Sequence, residues 1–315
     1  MNYRYILQRL FLAVVVILGV TFVVFMIVQI VPGDPARVVL GPYASDESVA
    51  GLRERLGLNR PFFEQYFTWL GGIVQGDFGQ SLLNGQDVAT QLLGRVGPSL
   101  ELAFVSLFIG LAIAFPIGII SAIRPGSAID IVATLFSQIG VSVPTFWMGI
   151  LLMIFFSLTL GVLPPGGYTP FSEDPGDWLA HIILPAFTAG FVSASIQTRF
   201  IRSAMLDILN ANFIQTARAK GLSERAVIIR HAMRNAMINI VTIIGLQITA
   251  LFSGLVIVEV VFSWPGLGRL ALNAVLERDY PMLQGAVFVV ALVVTIVNLL
   301  IDLLYFVLDP RIEYA

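Results

Sequence analysis

No cysteine occurs in this chain, and histidine occurs only twice. The first absence excludes disulfide bridges, cysteine-held zinc and thiol catalysis. The second leaves His181 and His231 without the His-Glu-x-x-His pairing that a zinc hydrolase needs. There is no Gly-x-x-x-x-Gly-Lys-Ser/Thr phosphate loop either, so ATP has no recognisable seat here. Charge is scarce as well. Charged residues make up 12% of the chain, against about 25% in soluble domains. The net charge of −2 offers no general attraction to nucleic acid. With 57% hydrophobic residues and a mean hydropathy of +0.88, the composition is that of a polytopic membrane protein.

Long uncharged runs stand where charge is missing. Leu10–Val31 has the roughly 20 apolar residues that a helix needs to cross a bilayer. It is too long for a signal-peptide core and reads as a retained span. Leu102–Ile123 is a second span, interrupted at Pro116. Ile131–Leu163 is apolar for longer than one crossing needs. The sequence Ser142-Val143-Pro144 predicts a break there, with Val132–Val141 as a lead-in and Thr145–Leu160 as the crossing. Trp178–Thr198, Met237–Val258 and Met282–Leu308 complete six predicted spans. The predicted class is an all-α integral membrane protein with six transmembrane helices.

The connections differ in chemistry. Residues 32–98 open on a Pro32-Gly33-Asp34-Pro35 turn signal. Two short helices follow in the pattern, over Asp46–Leu56 and Pro61–Ile73, and Tyr66 and Trp69 suit a membrane boundary. This segment is expected to be a small extracytoplasmic subdomain lying on the membrane. Gly161–Trp178 and Glu259–Pro281 read as external connections, the latter turning at Trp264-Pro265-Gly266. Basic residues gather on the other side, including Arg4, Arg9, Arg124, Arg199, Arg202, Lys220, Arg230 and Arg311. By the positive-inside rule, both termini are expected to be cytoplasmic.

The densest basic stretch, Asn212–Asn239, lies between the fourth and fifth spans. A helix is predicted from about Phe213 to Lys220, stopped by Gly221, because glycine adopts the left-handed conformation that closes a helix. Ser223 is placed to cap a second helix with Glu224 in its first turn. The expected unit is a helix, a glycine turn and a helix, exposed to a soluble partner. On charge alone it is equally a topology signal facing anionic lipid.

This stretch resembles the cytoplasmic coupling motif of ABC-importer permeases, a Glu-Ala-Ala triplet followed three residues later by glycine. Here the pattern falls on Gln215-Thr216-Ala217 and Gly221. Thr216–Leu222, His231–Met237, Ser263–Arg269, Val31–Pro35, Asp279-Tyr280-Pro281, Asp302–Tyr305 and Asp309-Pro310-Arg311 resemble the B-type permease of the dipeptide/oligopeptide/nickel family. The chain departs from the general motif at Gln215, where glutamate is usual, and at Asn239, where many relatives carry proline.

The resemblance implies a type I ABC-importer permease fold in a bacterial inner membrane. It implies four kinds of partner: a second, homologous permease forming a heterodimer, two nucleotide-binding ATPases, an extracytoplasmic solute-binding protein, and membrane lipid. ATP and magnesium would be bound by the ATPases, with no cofactor, metal or catalytic residue in this chain. Coupling would fall on Gln215, Thr216, Ala217, Arg218, Ala219, Lys220 and Gly221. Ala217 and Gly221 would allow close approach, and Arg218 and Lys220 would meet acidic groups. The expected organisation is 1–31 as N-terminus and first helix, and 32–98 as the external subdomain. A five-helix core follows over 99–308, with the coupling segment at 203–236, and then a tail over 309–315.

The implied solute is a di- or oligopeptide, with nickel chelates, glutathione, sugars and opines as alternatives in the same family. An ion-coupled secondary transporter would need coupling groups at mid-membrane and an internal repeat, and neither is visible. An intramembrane enzyme would need a nucleophile and base, or paired acids, and these are missing. Ser142, Ser193, Ser195 and Ser253 read as packing residues, and Asp302, the one acid inside an apolar run, as a structural group.

Overall fold

Apolar helix formers set the architecture of the computed structural model, which describes residues 3–30, 34–41, 43–55 and 57–308. Pro32 and Gly33 of the turn signal, the Asp309-Pro310-Arg311 motif and the 309–315 tail lie outside the described residues. The helices are α1 (Tyr3–Ile30), α2 (Pro35–Leu40), α3 (Asp46–Arg55), α4 (Phe62–Val74), α5 (Val88–Ile123), α6 (Ala128–Ser142) and α7 (Thr145–Leu152). Then come α8 (Pro175–Leu209), α9 (Asn212–Ala219), α10 (Glu224–Ala226), α11 (Arg234–Val261), α12 (Leu267–Glu277) and α13 (Tyr280–Leu308). Two π-helical turns, Met153–Thr159 and Val227–Met233, continue α7 and join α10 to α11. Five helices are long and apolar enough to cross a membrane, and six spans result if the bent α6–α7 pair counts as one.

That pair bends by 103° at the Ser142-Val143-Pro144 break read from the sequence. Proline disfavours a helical conformation in the residue before it, and Val143 is extended (φ −83°, ψ 122°). Elsewhere the helices outrun the predicted spans. Asp87 caps α5 by accepting from Thr90 N at 2.8 Å, so the helix holding the second span starts well before Leu102, and Pro98 lies inside it. Likewise α8 continues past Thr198 to Leu209, which places Arg199 and Arg202 in a helix and not in a loop. Pro185 is accommodated inside α8, buried among neighbours.

The chain divides into two compact units, Met1–Ser99 with Pro265–Leu299, and Leu100–Trp264 with Leu300–Ala315. In the first, Tyr66 of α4 is 4% exposed. Its hydroxyl lies 3.1 Å from Thr21 Oγ1 of α1, and its ring meets Phe22 and Phe25 edge-on. Trp69 also packs on Phe25. These two aromatics tie α4 to α1. A second cluster joins Val88, Leu92, Leu267, Ala274, Met282 and Ala286. Asp279, 3% exposed, accepts from Ser81 Oγ, from Leu82 N at 3.2 Å and from Met282 N at 3.4 Å. Part of the Asp-Tyr-Pro motif thus caps α13 and fastens a distant turn to it.

In the second unit, Trp264 is fully buried against Tyr168 and does not form the tip of an exposed turn. Glu101 accepts from Trp178 Nε1 at 3.0 Å and from Tyr168 O–H at 3.3 Å, pinning the loop ahead of α8. Burial first, then the Glu101 carboxylate, holds the Tyr168 phenol above its ordinary pKa, so it stays a neutral donor. His181 donates from Nδ1 to Asp177 O at 2.8 Å, a local satisfied role. Ser195 bonds back to Phe191 O, and Ser193 accepts from Gln197, so both serve packing as expected. Gly140 of α6 lies so close to α8 that an added Cβ would run into the Ser195 side chain. Gly140→Ala should lower thermal stability in detergent, by about 1–3 kcal/mol as for other overpacked sites. Gly19→Ala, where nothing lies within 4 Å, should leave it unchanged.

Candidate functional site

Between α8 and α11 the chain makes the hairpin that the sequence singles out. In α9 the residues Ile214 and Ala217 fall one turn apart and point inward, 0% and 7% exposed. They join a core of Ile201, Met205, Val227, Ala232 and Ala236. The opposite face, with Gln215, Thr216, Arg218, Ala219 and Lys220, is exposed. Ala217 thus packs on its own chain, where a small side chain fits. Thr216 bonds its hydroxyl to Asn212 O at 3.0 Å.

Gly221 closes the helix with φ +77°. Its N–H donates to Arg218 O at 2.9 Å and Leu222 N donates to Ala217 O at 3.4 Å. This paired pattern satisfies two of the carbonyls that a helix end leaves open. No atom lies within 4 Å of a Cβ built on Gly221, so backbone conformation, not space, demands glycine there. Ser223 Oγ accepts from Ala226 N at 3.4 Å and starts the next helix, as its position in the sequence predicts.

Arg218 is held across the turn by Glu224, with Nε–Oε1 at 2.8 Å and Nη2–Oε2 at 3.2 Å. Both side chains are exposed, 44% and 61%, so the pair adds little stability and stays exchangeable for another carboxylate. From Glu224 the backbone stays helical to Val261 through the Val227–Met233 π turn. The hairpin's second arm and the fifth span are thus one helical rod, where the sequence suggested two elements. Movement at the hairpin has a direct backbone path to the membrane helix. Such π turns often sit at functional positions.

The structure adds an ion pair that sequence reasoning missed. Asp130 in the first turn of α6 faces Arg202 of α8, with Oδ1–Nε at 2.6 Å and Oδ2–Nη2 at 2.8 Å. Ser121 at the end of α5 donates to Asp130 Oδ1, and Gly126 N donates to Oδ2 at 2.9 Å. Both carboxylate oxygens are satisfied while the Asp130 side chain is only 8% exposed. One residue thus joins the end of α5, the start of α6 and α8 about two turns before its end. The available signal was a lone acid at the head of the long apolar Ile131–Leu163 run. Among the described residues, no group of three acids or histidines could hold a metal ion.

The chain matches two family descriptions that together span almost its whole length. Residues 114–314 match "Binding-protein-dependent transport system inner membrane component", and residues 2–103 match its N-terminal part. The oligopeptide transport system permease protein AppB of Bacillus subtilis is 40% identical, covering 98% of this chain and 99% of that one. The dipeptide transport system permease protein DppB of Escherichia coli is 37% identical, covering 99% of each. The glutathione transport system permease protein GsiC of Salmonella choleraesuis is 39% identical, again over 99% of each. Among solved structures, an inward-facing MetNI methionine ABC transporter matches with a TM-score of 0.56 at 17% identity, covering 70% of this chain and 96% of that one. An amino acid ABC transporter matches with a TM-score of 0.52 at 16% identity, covering 71% and 94%. The fold is that of an ABC-importer permease.

Proposed function

The chain belongs to the binding-protein-dependent transport system inner membrane component family, and from that premise we propose that it is a permease subunit of an ATP-driven importer of di- and oligopeptides. The observation that carries the solute class is the end-to-end similarity to permeases named for oligopeptide and dipeptide transport. In this reading the chain pairs with a second, homologous permease and forms half of the translocation path. An extracytoplasmic binding protein delivers the peptide, and two ATPase subunits bind ATP and magnesium. Both termini are cytoplasmic, which puts the Gly221 hairpin on the ATPase side.

The exposed face of α9, with Gln215, Thr216, Arg218, Ala219 and Lys220, is the coupling surface, and Gly221 sets its angle. Exposure of that face together with burial of Ile214 and Ala217 supports this division. A short helix anchored on one side and open on the other can seat in a groove without losing its own core. Arg218 either keeps Glu224 or exchanges it for an acidic group of the ATPase. The similarity to a glutathione permease supports a second solute reading within the same mechanism.

Native mass spectrometry of the cognate binding protein, recovered by mild purification with this chain, tests the solute. A ladder of short-peptide masses is the expected result. A single discrete non-peptide mass would replace peptides as the solute, and a single glutathione mass would select the second reading.

A further inference from the structure

We propose that one face of α11, with Asn239, Thr242, Gln247, Ala250 and Ser253, is a wall of the translocation path that meets the backbone of a passing peptide and is indifferent to its side-chain charge. The proposal rests on the importer reading above and adds to it the residues and the kind of recognition.

Two spanning helices show what a lipid-facing surface looks like in this chain. In α5 the exposed positions recur every four residues, Phe104, Phe108, Ala112, Pro116 and Ile120, while Ser106 and Ser121 are fully buried. In α1, over residues 10–27, every exposed position is likewise apolar and Thr21 is buried. The fifth-span helix α11 inverts this arrangement. Its buried side carries Ile240, Leu251, Leu255 and Val258. Its exposed side carries Asn239, Thr242, Ala250 and Ser253, which share an arc of about 80° at 3.6 residues per turn. All four lie within the apolar stretch Asn239–Val261 that is long enough to cross a membrane. Ser253, expected from the sequence to pack, is thus on the open side. Polar side chains facing hydrocarbon are costly, so this face meets water.

Beside that face, near the middle of the span, α11 meets α7 and α8 around a cavity of about 90 Å³. Gln247, Ala250 and Gly254 line it together with Ser193 of α8 and Thr145 of α7. The Gln247 side chain is half-buried and makes no hydrogen bond among the described residues. Its amide offers two N–H donors and a carbonyl acceptor, the complement of the N–H and C=O that every peptide unit repeats. The cavity is far below the roughly 300 Å³ of an ordinary ligand pocket, so it is a notch in an open wall. Residues 239–258 contain no Asp, Glu, Lys or Arg. Such a wall can pair with a peptide backbone and repels no side chain by charge, which suits solutes of mixed sequence. Leu246, 70% exposed on the same face, works against the close backbone approach of small-residue helix contacts. The face is therefore shaped for a passing solute and not for packing on another helix.

The test uses the intact complex in lipid and takes advantage of a chain without cysteine. Thr242→Cys and Ser253→Cys should react with a membrane-impermeant trimethylammonium thiosulfonate about tenfold faster than Phe108→Cys or Leu255→Cys, in the nucleotide-free or the ATP-bound complex. Only a hydrated thiol ionises readily to the reactive thiolate. Charge is then placed after assembly, so folding is not at issue. In proteoliposomes, Ser253→Cys carrying a sulfonate adduct should lose about tenfold more uptake of Glu-Glu than of Lys-Lys, relative to the unreacted variant. The trimethylammonium adduct should reverse that preference. Unreactive Thr242→Cys and Ser253→Cys in both states, with peptide uptake intact, overturn the wall and leave the importer reading standing. Adducts of either charge that change uptake of the two peptides equally overturn contact between this face and the solute. A labelled face in a wild-type complex that takes up neither peptide overturns the peptide as occupant, and with it the solute reading.

Discussion

Gly221→Val should abolish solute uptake while the chain still inserts into the membrane at normal levels. Gly221 sits at φ +77°, a region that disfavours side chains with a Cβ and β-branched ones most. A penalty of about 1–2 kcal/mol for the left-handed conformation is small against the stability of a membrane bundle but large for one exposed turn. Relief comes by reopening the turn, which breaks the Leu222-to-Ala217 closure and swings α9 relative to α11. Gly221→Asn, whose side chain tolerates the left-handed region, should keep most activity. Gly221→Pro should be as damaging as valine, because it also removes the N–H that donates to Arg218 O. Uptake of a labelled dipeptide by cells lacking the native chain, with copurification of the ATPases, measures both. Normal uptake together with normal ATPase association in Gly221→Val would reject the hairpin as the coupling element.

Arg202→Met should strongly destabilise the second unit. It leaves Asp130, 8% exposed at its side chain, as a buried carboxylate with only Ser121 and Gly126 as donors. Breaking a buried pair from one side typically costs about 3–5 kcal/mol. Arg202 itself is 30% exposed, which allows water to moderate the loss toward the lower figure. Removing both charges, as in Asp130→Asn/Arg202→Met, should recover a substantial part, since no charge is then stranded. A double-mutant cycle on thermal unfolding in detergent reads the coupling directly. Equal stability of Arg202→Met and wild type would show that the pair is not a structural clasp.

How much of this was legible in the sequence depends on the range of the interaction that decides each feature. The Gly221 stop, the Ser223 cap and the Pro144 break are local, and each is found where its residue type requires. Helix lengths were read less well. An apolar run marks where lipid contacts end, whereas α5 and α8 continue into polar sequence because capping and packing sustain them. The partners of Tyr66 and Trp69 were not legible for a related reason: an aromatic beside a span does not name the helix it packs on, and only the position of α1 supplies Phe22 and Phe25.

Composition by itself determined that this chain is a helical membrane protein without metal-binding thiols, because burial in lipid demands apolar helices and leaves few other sequences possible. Local chemistry determined the hairpin. The tertiary structure decided which face of α9 is open, that Arg218 is already engaged by Glu224, and that Asp130 meets Arg202 across 72 residues. It also left Thr242 and Ser253 of α11 exposed while burying Ser106 and Ser121 of α5. Pairings between distant residues leave no periodic trace along a chain, so they exist only once the helices have packed.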